Sequence, residues 1–191
     1  MTFHVVTKSL AALREVAAGV TEDQLRLATP CEQWTVAQVL LHAAADQHGW
    51  AATVGTAALP GYDPFAPPQD VDRGVGAAVD SAVDVATETW ADVDASADAV
   101  STPLPPFPEM TPSDPAATAA LDAVVHPWDV AVATGQPSPL TPALADQVLP
   151  AARTIAEPLR GFAFGPALEP QAGDNEPATL LRLLGRDPAW G

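Results

Sequence analysis

Two histidines and an aspartate have the residue types and the spacing of a metal site. Asp122 and His126 are four residues apart in a segment with a helical pattern, so their side chains share one face with Cβ atoms about 5–6 Å apart. His42 lies in another apolar helical segment and offers a third ligand. Two histidines and a carboxylate with an open position form the ligand set of catalytic zinc and related divalent-metal centres. These residues therefore allow a metal site of His42, Asp122 and His126, in which water or substrate completes the coordination. The alternative is that His42 is a satisfied core residue, as a lone histidine on an apolar helix face more often is.

Three polar residues close to these ligands have open roles. Asp129 follows His126 by three residues, so it is either an acceptor for the imidazole N–H or a solvated surface carboxylate. Asp46, one turn after His42, has the same orienting interpretation with less weight. His48 is rotated away from the helix face of His42, so we expect it to be peripheral.

Pro127 interrupts a helical pattern directly after His126. A proline inside a helix removes one backbone donor and costs about 3 kcal/mol or more, and it also disfavours the helical conformation in the preceding residue. Such a conflict is expected either at a functional site or where a helix bends around the core.

Cys31 is the single cysteine, so the chain cannot form an internal disulfide. Its position shortly before a helix start would favour a reactive thiolate, but the favoured interpretation is a small side chain packed beside Trp34. The other tryptophans are expected to be packing residues: Trp50, Trp90, Trp128 and Trp190. Trp128 could instead line the mouth of the site, because it follows His126 closely.

Helical patterns dominate the chain and must position these residues. A proline-rich and glycine-rich stretch over 58–72 and another over 101–115 have the composition of loops. Shorter helices follow after Gly135, and no stretch shows the alternation of a strand or an internal repeat. The predicted long helices span residues 2–18 after Thr2, residues 36 to about 54 with Thr35 as N-cap, a third from about 75 to beyond Trp90, and a fourth from the Ser113–Asp114 step before Pro115 to about Gly135.

Four long helices joined by connections of different lengths fit an antiparallel four-helix bundle, a fold that often holds a metal site between inward-facing side chains. We therefore predict an all-α fold in a single domain, residues 1–191. Its metal-binding core would span about 2–135 and a short C-terminal helical extension about 141–191.

Composition excludes several classes of function. The chain has 24 acidic and 8 basic residues and a formal net charge of −16, so it lacks the basic residues that bind nucleic acid or anionic membranes. The first 20 residues carry charges within their apolar pattern, unlike a signal peptide or a membrane span. We expect a cytoplasmic protein that binds neither nucleic acid nor membrane.

Three separated blocks of sequence resemble one family. They are "TPCEQWTVAQVLLHAAADQHGW", "VVHPWDVAVATG" and the terminal "LLGRDPAW". Together they resemble the actinobacterial metal-binding proteins related to the mycothiol-dependent maleylpyruvate isomerase N-terminal domain, within the DinB/YfiT-like superfamily. The likeness spans most of the chain, although residues 55 to 112 contribute nothing to it.

The resemblance implies a four-helix bundle that holds one divalent metal through a histidine of the second helix and an E-x-x-x-H pair of the fourth. His42 matches the first histidine, His126 matches the second, and Asp122 stands where the family often has glutamate. Because aspartate is shorter by one methylene, direct ligation, ligation through water and no ligation by Asp122 all stay open.

The function implied by the resemblance is a thiol-dependent transferase or isomerase, in which the metal binds the sulfur of a small thiol such as mycothiol. Zinc is the default metal for these ligand types, and nickel is the alternative. A rival function is a non-catalytic metal-binding or ligand-binding helical module, and a third is a helical interaction protein without metal. The expected partners are a small thiol or an electrophile, and a homodimer is an open alternative.

Overall fold

Six α-helices make up most of the fold in the computed structural model, which describes residues 3–191. The expected helix start at Thr2 lies outside the described residues. The helices are α1 (His4–Ala18), α2 (Val36–Val54), α3 (Val75–Asp92), α4 (Ser113–Thr134), α5 (Pro142–Ile155) and α6 (Glu176–Leu183). A 3₁₀ helix (Glu22–Arg26) and two short strands, β1 (Val100–Ser101) and β2 (Glu109–Met110), complete the elements. The all-α expectation is confirmed.

The first four helices form a closed four-helix bundle in which each helix has two neighbours. Helix α1 packs against α4 and α3, and α2 packs against the same two helices. Helix α3 enters the core through small residues, as its sequence predicts, with Val79, Ala82 and Ala86 fully buried. Because α2 and α4 are neighbours, the segments that carry His42 and His126 face each other.

The start of α2 is fixed by the N-cap that the sequence predicts. The hydroxyl of Thr35 accepts a hydrogen bond from the Gln38 backbone N–H at 3.5 Å, and the Gln38 side chain accepts one from the Thr35 N–H at 3.2 Å. These two bonds satisfy backbone donors that the first turn of a helix otherwise leaves free. They set the register of α2, and with it the position of His42 two turns later.

Helix α4 begins slightly earlier than predicted. Its first residue is Ser113 and its N-cap is Pro112, which has helical torsion angles and no side-chain capping bond. The fixed φ of proline is compatible with a helix start, so Pro115 takes the third helical position instead of the first. The predicted end is confirmed, because Gly135 follows the helix in the left-handed conformation, with φ +72°.

A two-stranded hairpin between α3 and α4 was not predicted. Val100 pairs with Met110 and Ser101 with Glu109 in antiparallel register. Two residues per strand are too short to show alternation in the sequence, and the prolines between them match the turn rather than the strands.

The C-terminal extension packs on one side of the bundle. Helix α5 contacts α4 and α1, and α6 contacts α5. Arg160, between α5 and α6, donates to the carbonyls of Gly165 and Leu183 at 2.7 and 3.1 Å and so holds the connection to the end of α6. Among residues 3–191 no helix combines the length and apolarity needed to cross a bilayer.

Candidate metal centre

His42 is held on α2 so that one ring nitrogen stays available. Its Nδ1 lies 2.7 Å from the carbonyl oxygen of Pro64, which can only accept, so Nδ1 carries the hydrogen and donates it. The Nε2 atom then presents its lone pair on the other side, 3.2 Å from Asp46 Oδ2. The ring of Trp34 packs against the imidazole with centroids 4.4 Å apart. Burial, with the neighbouring His126, lowers the pKa of His42 to about 4, which keeps the imidazole in its neutral, ligating form.

His126 lies on α4 between two carboxylates. Its Nδ1 donates to Asp129 Oδ2 at 3.2 Å, and its Nε2 lies 3.5 Å from Asp122 Oδ1. Burial alone would lower the pKa of His126, but its bonds to Asp122 and Asp129 raise it well above the usual range. A metal ion held by Nε2 would take the place of the proton on that nitrogen, while Nδ1 would keep its bond to Asp129.

The two helices bring the predicted histidines together. The rings of His42 and His126 are perpendicular, with centroids 4.8 Å apart. Ligand atoms of His42, Asp46 and His126 all lie within 4.8 Å of one another. This group includes Asp46, which was favoured less from the sequence, and does not include Asp122, whose Oδ1 lies 3.5 Å from His126 Nε2. Asp46 could have been recognised from its spacing, since it follows His42 by four residues as His126 follows Asp122.

Asp46 and Asp122 meet on the solvent side of the histidines. Their side chains are 21% and 27% exposed, against 8% and 9% for the histidines beside them. The two carboxyl groups lie close enough for each to affect the pKa of the other. Burial and the charge of Asp122 raise the pKa of Asp46, whereas His126 outweighs burial and lowers the pKa of Asp122 to about 2. The two neighbouring carboxyl groups therefore differ in pKa, with that of Asp46 above and that of Asp122 below the usual range.

Two imidazole nitrogens and the carboxylate of Asp46 are a donor set that suits zinc and other borderline divalent ions. A bound cation would also offset the negative charge of the neighbouring Asp122. The residues of this structure therefore fit the metal that the sequence predicts, with Asp46 as an additional oxygen donor.

Behind His126, Asp129 forms a bidentate ion pair with Arg186. Arg186 donates from Nε to Oδ1 and from Nη2 to Oδ2, both at 2.8 Å, and Asp129 is fully buried. Burial alone would raise the pKa of Asp129, but Arg186 and His126 lower it to about 2. Of the two interpretations of Asp129, an acceptor for the imidazole N–H is therefore confirmed. Arg186 lies in the terminal "LLGRDPAW" block that carries the resemblance, but no role was predicted for it from the sequence, because no pattern relates it to a partner 57 residues away.

Cys31 adjoins this ion pair and has more polar contacts than the favoured interpretation predicts. Its side chain is half-buried against the core, but Sγ donates to Asp129 Oδ2 at 3.1 Å and accepts from Arg186 Nη2 at 3.3 Å. Ligand atoms of Cys31, His126 and Asp129 also lie within 4.8 Å of one another. The guanidinium of Arg186 already occupies both oxygens of Asp129, so this second group is a poorer place for a cation.

Aromatic side chains form a rim beside His42. The ring centroid of Phe65 lies 6.1 Å from that of His42 and 4.9 Å from that of Phe162. The two phenylalanines are 50% and 63% exposed, and they come from the loop after α2 and the connection after α5. The sequence did not single them out, because a lone phenylalanine in a loop has no pattern that reveals its neighbours.

The remaining predicted residues have mixed outcomes. Trp50, Trp90 and Trp128 are buried in the core, so Trp128 is a packing residue and not part of an exposed mouth, whereas Trp190 is 36% exposed. His48 belongs to neither group of ligand atoms found among residues 3–191.

Comparison with known proteins identifies the family. A family model described as the mycothiol maleylpyruvate isomerase N-terminal domain matches residues 6–131. Two uncharacterized proteins of Mycobacterium tuberculosis, from two strains, are each 34% identical over 150 residues, which covers 77% of this chain and 75% of each relative. No solved structure matches. The chain therefore belongs to the family of the mycothiol maleylpyruvate isomerase N-terminal domain.

Proposed function

We propose that this protein binds one divalent metal ion, zinc or alternatively nickel, and uses it in a thiol-dependent transfer or isomerisation. His42, Asp122 and His126 are the ligands predicted from the sequence, and we add Asp46. One observation supports this most strongly: both histidines use Nδ1 for a hydrogen bond, to Pro64 or Asp129, and turn Nε2 towards the carboxyl groups of Asp46 and Asp122.

When bound, a divalent metal lowers the pKa of a coordinated thiol and so supplies a thiolate nucleophile at neutral pH. The chain's own residues prepare the place for it. Pro64 and Asp129 fix the tautomers of His42 and His126, and Trp34 packs the first of these rings. Such outer partners orient metal ligands and make them more basic.

The family description supports the choice of thiol, and the aromatic rim supports the choice of an organic electrophile. The family description names mycothiol, which supports a small thiol of this kind as the cofactor. The exposed pair Phe65 and Phe162 offers an apolar surface next to His42, where an organic electrophile could lie out of water. A cytoplasmic location and a homodimer stay predictions.

Two measurements test this function. Elemental analysis of the purified protein should find about one divalent ion per chain. The metal-loaded protein should then consume mycothiol, or a simpler thiol, with a panel of electrophiles that includes maleylpyruvate. Metal without any turnover would contradict the enzymatic part and favour a non-catalytic metal-binding module. Protein that takes up no zinc or nickel would contradict the function altogether.

A further inference from the structure

A continuous chain of hydrogen bonds runs from the C-terminal extension to the candidate metal centre. Arg186 donates a hydrogen bond to each oxygen of Asp129 at 2.8 Å, and Asp129 Oδ2 also accepts one from His126 Nδ1 at 3.2 Å. The opposite ring nitrogen of His126 is the one that faces Asp122. Arg186 therefore stands two hydrogen bonds from the ring that we propose as a metal ligand.

A turn at the end of α6 positions Arg186. Gly185 has φ +80°, and a Cβ at this position would lie 2.8 Å from the carbonyl oxygen of Pro166. The Arg186 N–H then donates to the carbonyl of Leu181 at 2.8 Å, which closes the turn. The turn directs the guanidinium back to α4. It lies beyond residues 6–131, the part of the chain that the family model matches.

The ion pair fixes the orientation of the carboxylate behind His126. Asp129 is fully buried, and a carboxylate there without a partner could rotate about its own side chain. Arg186 prevents this, because two parallel N–H···O bonds fix the carboxylate plane. A fixed acceptor in turn holds the imidazole in one orientation.

We propose that Arg186 is a positioning residue of the metal centre, which holds His126 through Asp129, so that the C-terminal extension completes the site. This inference rests on the proposed function, since it takes His126 as a ligand. Arg186 does not itself touch the metal or a substrate in this role.

The chain offers a matched control. Arg182, four residues earlier on α6, pairs with Asp174 at 3.1 Å, and its side chain is 11% exposed, as is that of Arg186. Its partner belongs to the turn before α6 and not to the bundle. Removal of either arginine breaks one largely buried ion pair, but only Arg186 is connected to His126.

The experiment compares wild type, Arg186→Gln, Arg186→Lys and Arg182→Gln in the full chain. Zinc affinity is measured by competition with a chelator, and the cobalt-loaded proteins are compared by their visible absorption spectra. Circular dichroism of the metal-free proteins shows whether each variant folds.

Arg186→Gln should weaken zinc binding by about 10–100-fold, the usual loss for a group behind a metal ligand, and should shift the cobalt spectrum. Arg186→Lys keeps the charge but cannot form two parallel bonds, so its loss should be smaller. Arg182→Gln should keep the affinity and spectrum of wild type.

Unchanged affinity and spectrum in Arg186→Gln would overturn the inference and leave the proposed function intact. An equal loss in Arg182→Gln would also overturn it, because general destabilisation would then explain both variants. Wild type that binds no zinc or cobalt would overturn the proposed function itself, and this inference with it.

Discussion

At the scale of single residues, the two histidines differ in what holds them. Nδ1 of His42 donates to a backbone carbonyl, that of Pro64, whereas Nδ1 of His126 donates to a buried carboxylate, that of Asp129. An imidazole whose N–H donates to a carboxylate is a more basic metal ligand than one whose N–H donates to a carbonyl. We therefore expect His126 to contribute more to metal affinity than His42, although both are needed.

The first prediction concerns the two histidines. His42→Ala and His126→Ala should each abolish stoichiometric metal binding but leave the helix content unchanged, because the bundle core rather than an ion holds the fold. Elemental analysis and circular dichroism measure the two effects. His48→Ala is the control and should keep its metal, since His48 lies outside the candidate ligands. Full metal content in both ligand variants would refute the site.

The second prediction separates the two carboxylates. Asp46→Asn should weaken zinc binding severely, because a neutral amide replaces a charged oxygen within 4.8 Å of both histidine ligand atoms. Asp122→Asn should also weaken it, but Asp122→Glu should hold or tighten it, because the longer side chain reaches further from the face shared with His126.

Zinc titrations of the three variants give the order. Equal affinity of Asp122→Asn and wild type would show that residue 122 does not bind the ion. Equal affinity of Asp46→Asn and wild type would return Asp46 to an orienting role.

At the scale of elements, the turn that ends α6 carries the third prediction. Gly185→Ala should lower the free energy of unfolding by about 1–3 kcal/mol, because a side chain at φ +80° is strained and its Cβ would approach the Pro166 carbonyl to 2.8 Å. Gly76→Ala is the control, since Gly76 is exposed in α3 with open space around it, and it should not lose stability. Denaturant unfolding measures both. Equal stability of Gly185→Ala and wild type would mean that the turn tolerates a side chain.

Elements with strong local signals were the most predictable from the sequence. Helix α2 follows from its Thr35 cap and its run of alanine and leucine, and α4 ends at Gly135 as its glycine predicts. The hairpin of β1 and β2 could not be predicted, because two residues per strand leave no periodicity. Helix α4 starts early because Pro112 adopts helical torsion angles, and the residue types around it do not determine this conformation.

The site was predictable only where its spacing is local. His126 and Asp122 lie four residues apart on one helix, so helical geometry alone relates them. Arg186 reaches Asp129 only through the packing of α5 and α6 on the bundle, and no period in the sequence encodes that packing. The same holds for Phe162, whose neighbour Phe65 lies in a distant loop.

At the scale of the whole molecule, the charge affects every experiment with cations. The net charge is −16, so the acidic side chains repel one another in the folded state. Any added cation weakens this repulsion. Salt acts in the same direction, since the Debye length falls from about 30 Å at 0.01 M to about 10 Å at 0.1 M. A gain in stability on adding zinc therefore has two sources, a bound ion and a screened surface, which must be measured apart.

The fourth prediction separates these sources. Zinc at 100 times its Kd should raise the free energy of unfolding of wild type by about 2.7 kcal/mol, because an ion that binds only the folded state stabilises it by mass action. His126→Ala should lose this gain and keep the response to sodium chloride, since it removes a ligand but none of the 24 acidic residues. Denaturant unfolding of both proteins at matched ionic strength distinguishes stabilisation by a bound ion from stabilisation by a screened surface. If zinc stabilised the variant as much as wild type, the ion would act through the acidic surface, and the cluster around His42 and His126 would not be its binding site.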